Sequence, residues 1–155
     1  VLTACHTSYR VSPWRSVLRM KDARAQDEEQ IKKAKELVEF VGLGDVTNDL
    51  TSTISSAQQR LLMIATAMAA DPKLILLDEP AAGMVAKERK ELANVIKRIR
   101  ERGLAVLVIE HHMGLIMEVC ERIVVLNFGE KIAQGKPEEI QRDSAVIEAY
   151  LGGVH

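Results

Sequence analysis

Leu74-Ile75-Leu76-Leu77-Asp78-Glu79-Pro80 is the stretch on which the reading of this chain turns. Four aliphatic residues, two adjacent carboxylates and a proline predict a strand buried on both faces that stops at a polar edge. In an open α/β sheet, chemistry collects outside the carboxyl ends of the parallel strands, where Asp78 and Glu79 would lie. Two carboxylates there can divide the labour, one holding a magnesium ion and the other orienting or deprotonating a water. The same residues fit a solvated turn leading into a helix capped by acidic groups, so the stretch alone leaves both readings open.

Downstream, the pattern is helix and then strand. A helix over 86–102 turns Leu92, Val95, Ile96 and Ile99 inward, Gly103 makes the return turn, and 104–109 is a second aliphatic strand. A helix of this length between two such strands is a right-handed parallel crossover, so both strands end at one sheet edge. Glu110 and His111 are thereby expected beside Asp78 and Glu79.

Upstream, Ile31, Ala34, Leu37, Val38 and Val41 recur at helical spacing over 22–41, and Gly42 stands where a helix should stop. Ser55 or Ser56 can cap a second helix through Gln58, Leu61, Leu62, Ile64, Ala65 and Met68, halted by Asp71-Pro72. These two helices form one helical unit. Beyond the second strand come a short helix (113–121), a third strand (122–126), a turn at Asn127-Phe128-Gly129 and an antiparallel partner strand near 131–134. Pro137, Glu138 and Glu139 open another helix, and 144–151 forms the last, ending at Gly152-Gly153. The four methionines at 63, 68, 113 and 117 are expected to fill core space. The expected organisation is therefore an irregular start (1–21, with a loop at Ser12-Pro13-Trp14 and a short helix over 14–20), a helical subdomain (22–72), half of a mostly parallel core (73–135) and a helical tail (136–155).

Composition narrows the function. With 155 residues, 47% of them hydrophobic, the chain can build a core. Its 21 Lys and Arg nearly balance 22 Asp and Glu, which argues against nucleic acid as a partner. Cys5 and Cys120 form no paired motif and read as free thiols in a reducing compartment. No apolar run reaches the roughly 20 residues of a membrane helix, so any membrane role is peripheral. The first residue is Val1 rather than Met, which fits a piece of a longer protein.

The order of motifs is specific. Ile54-Ser55-Ser56-Ala57-Gln58-Gln59-Arg60, then Leu74 to Pro80, then Ala81-Ala82-Gly83-Met84, then Val108-Ile109-Glu110-His111 resembles the ATP-binding subunits of ABC transporters. The ending, Gly135-Lys136-Pro137-Glu138-Glu139-Ile140 through Val146-Ile147-Glu148-Ala149-Tyr150-Leu151-Gly152, is similar to the subfamily serving branched-chain amino acid importers. The lipopolysaccharide-export ATPases are similar in the same segments. The resemblance implies an α/β fold, part of a P-loop-type nucleotide-binding domain, using ATP and Mg2+. Within it Asp78 matches the metal-holding aspartate, Glu79 the catalytic glutamate and His111 the switch histidine at the γ-phosphate. Ser55, Ser56, Ala57 and Gln58 match the signature motif, whose amides would grip ATP held by a second ATP-binding subunit. Phosphoryl transfer is mostly positioning and charge stabilisation, which such a set can supply. The resemblance also implies permease subunits as partners and a cytoplasmic, peripheral place at the inner face of the cell membrane.

The departures carry weight too. Ser56 and Ala57 stand where the family has two glycines, and a β-carbon at Ala57 is expected to impede backbone approach to phosphate. Val85 replaces a usual Asp or Asn in the loop that meets the partner. No G-x-x-x-x-G-K-[ST] loop occurs in the sequence; Gly129 to Gly135-Lys136-Pro137 has one residue too many and a proline in place of the hydroxyl. His111, His112 and Glu110 are not read as a metal site, because adjacent residues leaving a strand point apart and no third ligand is spaced for zinc. Two alternatives to amino acid import stand beside it: lipopolysaccharide export, and a non-hydrolytic module that pairs with intact subunits.

Overall fold

A computed structural model describes residues 1–5 and 21–151. After a short helix α1 (Leu2–Cys5), helix α2 runs over Lys21–Phe40. It buries Ala34, Leu37 and Val41, with Val38 half-buried, as the helical spacing requires. Ile31 belongs to the same periodic set but is exposed. Gly42, at φ 84°, closes the helix in a Schellman motif: its N–H donates to the Glu39 carbonyl and that of Leu43 to Val38. Leu43 is buried at the hydrophobic position that accompanies this cap.

Helix α3 (Ser56–Met68) starts from Ser55, which settles which serine caps it. Ala57, Leu61, Ile64, Ala65 and Met68 face inward, whereas Met63 lies on the outer face and is exposed rather than filling the core. Lys33, inside α2, reaches Asp71 beyond the end of α3 at 2.5 Å, tying the two helices together.

Strand β1 (Leu74–Asp78) pairs in parallel with β2 (Ala105–Ile109), from Leu74 opposite Ala105 to Asp78 opposite Ile109. Between them α4 (Ala86–Glu101) packs Leu92, Ala93, Val95, Ile96 and Ile99 onto the sheet, and Gly103 turns the chain back at φ 81°. Burial of Leu92 and Ile99 is complete, and each such side chain contributes roughly 1.5–3 kcal/mol. The expectation of a strand buried on both faces is corrected here. Ile75 and Leu77 are buried against the helices, but Leu74, Leu76, Leu107 and Ile109 are exposed on the opposite face, against which no described element packs.

The third strand, β3 (Ile123–Asn127), does not join this sheet. It pairs antiparallel with β4 (Glu130–Gly135) in a separate hairpin, with a bulge between Val125 and Leu126. Phe128 and Gly129 both take positive φ, the geometry of a tight two-residue hairpin turn. Helix α5 (Met113–Val119) leads into the hairpin; α6 (Pro137–Ile140) and α7 (Ser144–Leu151) follow it. One hydrophobic cluster runs through α2, α3, the parallel sheet, α4 and α5, and a second joins Ile116, Ile123, Val125, Ala133, Ile140 and Val146. Glu118 of α5 accepts from both Lys90 and Lys97 of α4 at 2.7 Å, and these two cations hold its carboxyl below the usual carboxylate range. No helix among the described residues is long and apolar enough to cross a membrane. The readings placed on 6–20 and on Gly152-Gly153 lie outside the described residues.

Candidate functional site

The parallel register fixes the site. Since Asp78 pairs with Ile109, the residues that follow each strand leave from one edge, and the Glu79 N–H extends the pairing by donating to the Ile109 carbonyl at 2.9 Å. Glu79 Oε1 lies 3.5 Å from His111 Nδ1, with both side chains largely exposed. The convergence expected from the crossover is therefore present. His112 turns the other way, as expected for adjacent residues: its Nδ1 accepts from the Leu115 N–H and caps α5. Among the described residues no group of three acidic, histidine or cysteine side chains forms a metal cluster.

Glu79 is held in the left-handed region, at φ 43°, which a non-glycine residue adopts at a cost of about 1–3 kcal/mol unless its surroundings enforce it. Two contacts do so. One is the amide bond to Ile109. The other comes from α3: Arg60 Nη1 donates to the Glu79 carbonyl at 2.8 Å. The helix bearing the signature-like motif is thus fastened to the backbone of the candidate catalytic residue.

Glu110 is the most enclosed charged side chain of the site, 1% exposed. Its Oε1 accepts the Ala81 N–H at 2.8 Å, and its Oε2 accepts the N–H groups of His111 (3.1 Å) and His112 (3.2 Å). The carboxylate is satisfied by backbone donors from the loop after β1 and the loop after β2. Sequence reasoning placed Glu110 at this edge without a role and passed over Arg60. The available signal was a carboxylate directly before two residues that open a helix, where free amides need acceptors.

At the start of α3, Ser55 Oγ accepts the Gln58 N–H at 3.2 Å while Gln58 Oε1 accepts the Ser55 N–H at 2.9 Å, a complete capping box. The Gln58 side chain is occupied by this cap. The remaining first-turn amides, those of Ser56 and Ala57, have no intrahelical acceptor and point out of the helix end, a suitable seat for an anion. The Ala57 methyl is 5% exposed and belongs to the core cluster. Val85 sits at the N-cap of α4 with no side-chain cap bond, although Glu88 Oε2 accepts its N–H at 2.9 Å.

Asp78 is exposed at the same edge, and none of the described hydrogen bonds or ion pairs engages its carboxylate. A hard, free oxygen ligand outside any group of three such side chains suits an ion that keeps most of its waters, as magnesium does. The residues present therefore fit the implied metal and nucleotide: one carboxylate for the ion, one paired with an imidazole, and a helix N-terminus for phosphate.

A parallel-sheet edge bearing carboxylates, beside a helix whose first-turn amides lack acceptors, is an α/β arrangement of the kind that seats phosphate groups. Residues 4–82 match the profile of the ABC transporter family, and residues 130–155 that of branched-chain amino acid ATP-binding cassette transporters. The chain belongs to the ABC transporter family. It is 37% identical to the high-affinity branched-chain amino acid transport ATP-binding protein LivG of Escherichia coli K12, over 98% of this chain and 60% of that protein. It is 41% identical to BraF of Pseudomonas aeruginosa, which carries the same description, over 83% of this chain and 51% of BraF. The lipopolysaccharide export ATP-binding protein LptB of Haemophilus influenzae is 38% identical over 78% of this chain and 50% of its own length. Among solved structures, an ATP-binding cassette of an ABC transporter in its ADP conformation superposes with a TM-score of 0.76 at 26% identity, covering 97% of this chain and 61% of that one. The chain thus spans about 60% of the length of LivG.

Proposed function

We propose that these residues belong to an ATP-hydrolysing subunit of a transporter that imports branched-chain amino acids. The observation that carries this is the approach of Glu79 to His111 at the edge that also presents Asp78, in a chain similar to LivG and BraF. In this reading 22–72 is the helical subdomain, 73–135 half of the nucleotide-binding core and 136–155 a helical tail. Asp78 would hold Mg2+ through water, and Ser55 with the amides of Ser56, Ala57 and Gln58 would face nucleotide carried by a second ATP-binding subunit. Bound Mg2+ would neutralise charge on the phosphates of ATP. Glu79 orients the attacking water and takes up its proton, and the exposed His111 imidazole donates toward the terminal phosphate. Arg60 and the Ile109 carbonyl keep the Glu79 backbone from relaxing out of its left-handed conformation. The permease partners would span the cell membrane, with this subunit peripheral at its inner, cytoplasmic face. The departures at Ser56, Ala57 and Val85 favour the second reading, a non-hydrolytic module that pairs with intact subunits.

The test is MgATP hydrolysis by the full polypeptide carrying these residues, assembled with its permeases. Glu79→Gln is expected to cut turnover at least 100-fold while ATP binding persists, and a binding protein loaded with leucine, isoleucine or valine is expected to stimulate the parent. Turnover indifferent to Glu79→Gln would refute the catalytic assignment. Stimulation by lipopolysaccharide instead of amino acids would refute the import assignment and support the export reading.

A further inference from the structure

Glu79 and His111 both project into water, and two exposed side chains 3.5 Å apart gain little from each other, so their contact does not fix their separation. Something in the backbone must. Among the described residues the loop after β1 and the loop after β2 are joined by the Glu79 N–H bond to Ile109 and by the Ala81 N–H bond to Glu110 Oε1. The first is a continuation of the sheet and ends at Glu79 itself. The second lies beyond Glu79 and is made by a buried carboxylate whose other oxygen gathers the amides of His111 and His112.

We infer that Glu110 is a positioning residue for this site: its enclosed carboxylate, accepting the amides of Ala81, His111 and His112, sets the loop that carries Glu79 against the loop that carries His111. The inference rests on the catalytic reading of Glu79 and His111 proposed above. Three features support it. Hydrogen bonds from N–H groups to a carboxylate are roughly twice as strong as neutral ones, and the one from Ala81, at 2.8 Å, is the bond that crosses between the two loops beyond Glu79. Among the described residues the carboxylate has no lysine or arginine partner, and His111 Nδ1 lies 4.0 Å from it, so its hydrogen bonds come from the amides. Reach also matters. An aspartate at this position is one methylene shorter, and a glutamine presents an NH2 group to amides that need an acceptor, so neither reproduces three accepted bonds.

The experiment uses the full polypeptide that carries these residues. Glu110→Gln is expected to lower kcat for MgATP at least tenfold while KM stays within twofold, because nucleotide contacts are kept and only the Glu79–His111 setting is lost. Ile140→Val, in the second hydrophobic cluster and remote from the site, provides a mildly destabilised control and is expected to leave kcat unchanged. In the same Glu110→Gln protein the backbone amide resonances of Ala81, His111 and His112 are expected to move upfield together, and that of Glu79 to shift with them. A kcat within twofold of the parent, or a loss equalled by Ile140→Val, would overturn the inference. If the parent hydrolyses no ATP, the catalytic reading fails by that result alone, and the amides decide about Glu110: an Ala81 resonance unmoved by Glu110→Gln shows that no such staple exists.

Discussion

Val85 is a missing cap whose replacement should stabilise the chain. Its backbone, at φ −75° and ψ 168°, already has the extended conformation of a helix N-cap, close to that of Ser55 at −64° and 161°. Ser55 completes a reciprocal box with Gln58, but at α4 only half of the box exists: Glu88 accepts the Val85 N–H, and the valine offers no acceptor to the first-turn amides in return. The Val85 side chain is 61% exposed, so removing it forfeits little apolar burial. Val85→Ser is therefore expected to add about 1 kcal/mol, the usual worth of a serine cap. Val85→Asp gains a further 0.3–1 kcal/mol or so from the positive end of the helix dipole, partly opposed by the Glu88 carboxylate. In a chain of this size each kcal/mol raises Tm by roughly 2–4 °C. Urea melts followed by circular dichroism, with thermal scans beside them, measure the change. Val85→Ala is the control, since alanine removes the same apolar surface and supplies no acceptor. If Val85→Ser is no more stable than Val85→Ala, the capping argument is wrong.

Two further perturbations probe the ties between elements. Glu118 is held below its ordinary range by Lys90 and Lys97, so its contribution is complete above the unfolded value near 4.3 and is lost as pH falls through the lower folded value. Glu118→Gln should accordingly cost about 0.5–1 kcal/mol at pH 7, and the gap to the parent should stay flat down to about pH 5 and close in stronger acid; a gap that widens on acidification contradicts this sign. Arg60→Met removes the side-chain donor to the Glu79 carbonyl, leaving that of the Ala82 N–H, and is expected to cost about 1 kcal/mol in denaturant melts, with Arg60→Lys recovering only part because a point charge cannot reproduce the guanidinium geometry. Equal stability of Arg60→Met and the parent would show that the bond carries no weight.

What could be read from the sequence was what local chemistry dictates. The spacing of Leu92, Val95, Ile96 and Ile99, the stops at Gly42, Pro72 and Gly103, and the parallel sense of β1 and β2 all follow from periodicity and backbone preference, and together they bring Asp78, Glu79, Glu110 and His111 to one edge. What could not be read depends on which surfaces meet. Ile31 and Met63 satisfy the helical period yet face outward, and Leu74 and Leu76 satisfy the aliphatic run yet lie on an open face. Whether Ala57 faces the ligand side or the core is set by the rotation of α3, which no local pattern encodes. The same holds for the reach of Arg60 to Glu79 and for the enclosure of Glu110, both of which join residues far apart in the chain.

The left-handed backbone of Glu79 separates two demands that selection makes on one position. Folding asks there for a residue that tolerates positive φ, and glycine meets that demand better than glutamate does. Chemistry asks for the carboxylate. A single-base change from a glutamate codon reaches glycine, so a lineage can discard the candidate catalytic group and gain backbone ease in the same step, whereas a change to valine, equally near in the code, is penalised by strain. The scaffold does not protect its own chemistry against this one change: replacement of Glu79 by glycine is opposed only by the need for turnover, and a glutamate kept there is a record that turnover has been under selection.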